Sequence, residues 1–197
     1  MPYDQTRFSE LYDPPYDRAF YQRNWMMYRE RALALQGIGL AARDTVLVVG
    51  CGLGFLMEHL IDDVGCSLAN VWGVDTSLWI HTERLTEGRN DTRLQIVNAD
   101  IESAVIRTTL GTLCGISRFN WVVTEDMLPS YTDSQAVQSL LDGCDLIKSG
   151  NGQVAHIVST LLPGASQDSS LWWRTIEEWQ SERPAHHWID AHNLGGA

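Results

Sequence analysis

Val46-Leu47-Val48-Val49-Gly50-Cys51-Gly52-Leu53-Gly54-Phe55 is the stretch that decides the fold. Four apolar residues run without a break, as in a strand buried on both faces of a parallel sheet. Three glycines at alternate positions then lead into the apolar start of a helix. Glycine is needed where the backbone turns left-handed or where a neighbour or ligand must lie against bare main chain. A helix N-terminus behind such a turn also points free N–H groups outward. Dinucleotide folds use G-x-G-x-x-G at this place. Here Phe55 stands where their last glycine would be, so the spacing is G-x-G-x-G and a nicotinamide-dependent oxidoreductase is not supported.

Working outward, strand and helix patterns alternate. Asp17 to about Gln36 predicts a helix, with Phe20, Trp25, Tyr28, Ala32 and Leu35 at three- to five-residue steps. After the 45–49 strand come a helix from Phe55 to Val64, a strand from Asn70 to Val74 and a helix from Ser77 to about Glu87. A third strand covers Leu94 to Val97, a weaker helix Glu102 to about Leu113, and a fourth strand Phe119 to Thr124. A helix from Ser134 to Lys148 opens on Asp133 as N-cap. A fifth strand covers Gln153 to Ser159, followed by a Trp-rich helix from Ser169 to about Glu182. Alternation of this regularity implies a three-layer, doubly wound α/β domain with a mainly parallel sheet. The expected division is an aromatic helical cap at residues 1–40 and a Rossmann-like domain at 41–197.

The G-x-G-x-G loop resembles motif I of the class I S-adenosylmethionine-dependent methyltransferases, and further residues follow at the family's intervals over residues 44–160. Strand two ends in Val74-Asp75-Thr76-Ser77 and strand three in Val97-Asn98-Ala99-Asp100-Ile101. Strand four, Phe119 to Thr124, runs into Glu125-Asp126-Met127-Leu128 and looks like motif IV. The resemblance implies S-adenosylmethionine as cofactor, with contacts from Gly50, Cys51, Gly52 and Gly54, from Asp75, Thr76 and Leu78, from Asp100 and Ile101, and from Glu125. In it Asp75 takes the ribose hydroxyls, Asp100 the adenine amino group, and Leu78, Trp79 and Ile101 the faces of the ring. Glu125, Asp126 and Tyr131, just past strand four, are the catalytic candidates. Two departures stand out. Val48 occupies the place of the family's usual acid, and the chain leaves room for one short strand at Trp188-Ile189 instead of the family's antiparallel C-terminal hairpin.

Composition narrows the reading. Among 197 residues, 25 acidic side chains face 14 basic ones for a net charge of −11, which disfavours nucleic acid as a partner. The expected methyl acceptor is therefore a small molecule or a protein side chain. No apolar run approaches the ~18–20 residues of a membrane span. MPYDQTRFSELYDPP lacks the apolar core of a secretory leader, so the expected location is cytoplasmic. Asp13-Pro14-Pro15-Tyr16 spells a motif of enzymes that methylate flipped bases, but it lies far ahead of the glycine loop and follows no buried strand; it reads as a stiff turn. Cys51, Cys66, Cys114 and Cys144 are widely spaced and read as small hydrophobes, with no metal centre. His186, His187 and His192 read as a solvated tail. A competing expectation is a non-catalytic relative of the fold, docking in a homo-oligomer or larger assembly through Trp172, Trp173 and Trp179.

Overall fold

The computed structural model describes residues 18–52, 54–76, 94–128, 134–158, 174–191 and 194, with side chains from Met26 onward. A helix α1 (Arg18–Gly37) precedes strand β1 (Val46–Val49), helix α2 (Phe55–Asp62) and strand β2 (Val71–Asp75). Strand β3 (Gln95–Asn98), helix α3 (Ile106–Cys114) and strand β4 (Phe119–Glu125) follow. Helix α4 (Ser134–Ile147), strand β5 (Lys148–Val158), helix α5 (Ile176–Glu182) and strand β6 (His187–Asp190) complete the order. The expected helix at 77–87 and the Asp133 cap lie outside the described residues.

The six strands form one sheet in the order β3-β2-β1-β4-β5-β6, and every neighbouring pair is parallel. β1 sits at the centre, where its four residues are at most 1% exposed, as an uninterrupted apolar strand should be. Alternation splits them between two cores. Val46 and Val48 face α1 and α2, packing with Leu35, Leu56 and Leu60. Leu47 and Val49 face the other layer, with Leu110, Leu140, Leu141 and Trp179. Asp44 fixes the entry to β1: its carboxylate accepts from the Ala41 N–H and from the Trp121 indole at 3.1 Å.

Four boundaries or placements differ from expectation. α3 starts at Ile106, not Glu102, because Asp100 and Ser103 capture local backbone N–H groups and hold a turn. β5 starts at Lys148, not Gln153; Phe119 pairs with Lys148 and Trp121 with Gln153, so the Gly150-Asn151-Gly152 stretch is an irregularity within the strand. α5 starts at Ile176, after a capping box in which the Thr175 hydroxyl accepts the Glu178 N–H and the Glu178 carboxylate accepts the Thr175 N–H. Finally, the segment after α5 is no solvated tail. His186 is 7% exposed and His187 opens β6, which lies directly beside β5 as the one short strand expected there.

Trp179, expected on a docking surface, is fully buried and stacks on Trp188 with ring centroids 5.8 Å apart. Trp172, Trp173 and His192 lie outside the described residues.

Candidate functional site

In an open parallel sheet, ligands bind beyond the carboxyl ends of the strands, at the point where strand order reverses. Here that point lies between β1 and β4, since the chain runs outward from β1 to β3 and returns to β4. The glycine loop leaves β1 at this crevice. Gly50, Gly52 and Gly54 have φ of 69°, 51° and 85°, all left-handed. The Gly50 and Cys51 N–H groups both donate to the Val74 carbonyl, tying the loop to the end of β2, and Gly54 donates to the Cys51 carbonyl at 2.8 Å.

The three glycines serve different neighbours. A Cβ on Gly50 would lie 2.1 Å from the Met127 sulfur, and one on Gly54 2.7 Å from a Leu94 methyl. Those two allow the protein to pack on itself. A Cβ on Gly52 would meet none of the described residues within 4 Å, so among them Gly52 alone of the three glycines turns bare backbone away from any neighbour. Its N–H donates to Asp75 Oδ2 at 3.1 Å, which places the half-buried Asp75 carboxylate at the rim of the loop.

The other expected contacts divide. Thr76 and Asp100 are exposed at the ends of β2 and β3; Asp100 Oδ1 accepts the Glu102 N–H at 2.9 Å. Cys51 is 3% exposed and faces inward, since a Cβ on Gly73 would lie 2.6 Å from its sulfur. Ile101 is 4% exposed and packs against Gly143 of α4, so most of its surface serves the core. Val48, in the position of the family's acid, is fully buried. Leu78 and Tyr131 lie outside the described residues.

Glu125 and Asp126 are brought together by a residue that sequence reasoning missed. Arg31 of α1 reaches the end of β4, where Nη1 donates to Glu125 Oε1 and Nη2 to Asp126 Oδ2, each at 2.6 Å. Its guanidinium also lies 5.4 Å from the Tyr28 ring centre. Burial works against its charge, but the two carboxylates outweigh it and hold the pKa above the ordinary value. Burial pushes the Glu125 carboxyl up to about 7, against the pull of Arg31. The Glu125 side chain is 8% exposed and that of Asp126 26%, so Asp126 is the member open to a ligand. Asp126 has φ 48°, a left-handed conformation that Asp tolerates better than most residues. The signal for Arg31 was present: it falls between Tyr28 and Leu35 on the apolar stripe of its helix, three residues after one and four before the other.

A second polar cluster lies on the opposite face of β4. Thr124 Oγ1 is 2.7 Å from His156 Nδ1, His156 Nε2 is 2.9 Å from His186 Nδ1, and His186 Nε2 is 3.2 Å from Asp145 Oδ1. The Asp145 carboxylate can only accept, so His186 donates to it, His156 donates to His186, and the Thr124 hydroxyl donates to His156. Burial holds both imidazoles below their ordinary pKa, His156 well below, which suits this neutral arrangement. His156 stands inside the apolar run Val154–Val158, the one sequence signal that marked it.

No protein-family model and no curated protein sequence matches the chain. Solved structures do resemble it. A chain of the complex between the Haloferax volcanii Trm112 methyltransferase activator and a methyltransferase aligns at 18% identity and TM-score 0.57, over 94% of this chain and 71% of that one. An S-adenosylmethionine-dependent methyltransferase from Clostridium acetobutylicum aligns at 17% identity and TM-score 0.52, over 79% and 57%. The glycopeptide N-methyltransferase MtfA aligns at 17% identity and TM-score 0.53, over 71% and 57%. The chain has the class I methyltransferase fold. It spans 50% and 57% of the length of two MtfA structures, so the likeness covers only part of those proteins. Within the methyltransferase fold, the glycine loop, Asp75 and Asp100 share one edge of the sheet, at the carboxyl ends of β1, β2 and β3.

Proposed function

We propose that this chain binds S-adenosylmethionine along the carboxyl edge of β1, β2 and β3 and is a methyltransferase acting on a small molecule or a protein side chain. The observation that carries the reading is Gly52, whose left-handed backbone meets no neighbour among the described residues while its N–H is held by Asp75. The residues fit the group. Asp75 holds the loop, and its carboxylate is the acceptor type that ribose hydroxyls require. Asp100, exposed beyond β3, would accept from the adenine amino group. Thr76 belongs to the same rim, Cys51 and Ile101 support it from within, Glu125 borders it through β4, and Leu78 is assigned its contact by sequence position alone.

When bound, the cofactor supplies a sulfonium methyl already activated for transfer. The chain's own task is then to bind, orient and exclude water, and the acceptor needs alignment more than activation. Arg31 engages both Glu125 and Asp126, of which Asp126 is the more exposed, and Tyr131, further along the sequence, is the candidate that would meet the acceptor. The net charge of −11 favours a neutral or cationic acceptor over a polyanion. None of the described helices is long and apolar enough to cross a membrane, and we place the activity in the cytoplasm.

A non-catalytic role for the same fold is favoured by one observation, the engagement of Glu125 by Arg31. Calorimetric titration separates the two. The enzyme reading expects micromolar binding of S-adenosylmethionine and of its demethylated product, lost in a folded Asp75→Ala variant. Folded protein that binds neither compound leaves the interaction role.

A further inference from the structure

The ligand proposed above has an amino-acid end whose α-ammonium needs a negative partner. β1, which carries the loop, offers none, because its residues from Val46 to Val49 are all apolar and buried. The sheet register shows where a charge does stand. Val48 pairs with Val123 on β4, and both belong to the core that faces α1. Two residues further along β4 the same face carries Glu125, one pleat nearer the crevice and beside the end of β1. The next residue, Asp126, has a left-handed backbone, and its side chain is 26% exposed. Met127 then comes down against Gly50, so this short segment borders the first glycine of the loop. One guanidinium, Arg31, serves two carboxylates here, fixing the plane of Asp126 through a 2.6 Å bond while its single charge is shared with Glu125.

We infer that Asp126, held in place by Arg31, receives the α-ammonium of the cofactor's amino-acid end and so replaces a charge that β1 lacks. The inference rests on the cofactor reading above. Asp126 is the binding group and Arg31 a positioning residue. A carboxylate that is held in place before the ligand arrives loses little freedom on binding.

Two ligands that differ only in this end provide the test. S-adenosylhomocysteine carries the amino-acid group without the sulfonium charge; 5′-methylthioadenosine lacks the group. The expected result is that Asp126→Asn weakens S-adenosylhomocysteine about tenfold to a hundredfold and leaves methylthioadenosine unchanged. Asn keeps the shape and tolerates the left-handed backbone. Asp126→Gly, suited to the same backbone, carries the test if the first variant does not fold, and the same selective loss is expected. Equal weakening of both ligands, or no weakening of S-adenosylhomocysteine, overturns the assignment while the cofactor reading stands. Failure of the unsubstituted protein to bind either ligand overturns both.

Discussion

At residue scale, Gly50 and Gly52 adopt similar left-handed backbones for opposite reasons, and alanine separates them. At Gly50 a Cβ meets the Met127 side chain as well as strain, and the expected cost is about 1–3 kcal/mol of folding stability. At Gly52 a Cβ meets none of the described residues, only the strain of the backbone, on the order of 1–2 kcal/mol, yet it fills the face proposed for a ligand. Urea denaturation combined with cofactor titration checks this. Gly50→Ala should lose more stability, whereas Gly52→Ala should lose binding out of proportion to its stability loss. Equal effects in both assays would contradict the division. The spacing of the glycines was legible in the sequence; their division of labour was not, because Met127 and Leu94 come from segments distant in the chain. Arg31 was hidden for the same reason. Its helix was evident, but the carboxylates it serves are 94 and 95 residues away.

At the scale of elements, the strand–helix alternation could be read because each buried strand is a short apolar run and each helix shows one apolar face. Boundaries went astray where side chains compete for backbone groups. Thr175-Ile176-Glu177-Glu178 holds a capping box that was open to reading, yet the apolar pattern of the neighbouring tryptophans placed the start of the helix earlier. α5 spans only 7 residues, so its cap matters. Thr175→Ala should cost about 1 kcal/mol, measured as a shift in urea midpoint, and an unchanged midpoint would show that the packing of Trp179 alone sets the helix. The extension of β5 was obscured by Gly150 and Gly152, which signal a turn in isolation. In the sheet, Gly152 instead lets the strand pass the Phe119 carbonyl, which a Cβ would approach to 2.8 Å.

The molecule as a whole responds to pH through groups that lie on opposite faces of β4. His156 is held well below the ordinary value of 6.5 by burial first, then by repulsion from His186 and Arg183; His186 is held below it by burial, with Asp145 opposing and Lys148 and Arg183 adding. As pH falls through 6.5 the unfolded chain takes up both protons ahead of the folded chain, so stability falls. Glu125 acts in the other direction: its folded pKa of about 7 exceeds the unfolded 4.5, so the folded chain binds the extra proton between them. Two groups against one leave a net loss of stability as the pH falls from 6 to 5. Urea midpoints across that range should fall with pH, and Glu125→Gln should steepen the fall; a flat profile would contradict the neutral histidine chain. The sheet order has a consequence for folding itself. Val46 pairs with Val71 on one side and with Trp121 on the other, so joining β1 to β4 closes much the longer loop and costs more entropy. The cofactor site proposed above reaches that costly join at its amino-acid end, between Gly50 and Asp126. A ligand there adds its binding free energy to the seam that assembles at greatest expense, so cofactor concentration would set how much of the chain is folded as well as how much is loaded.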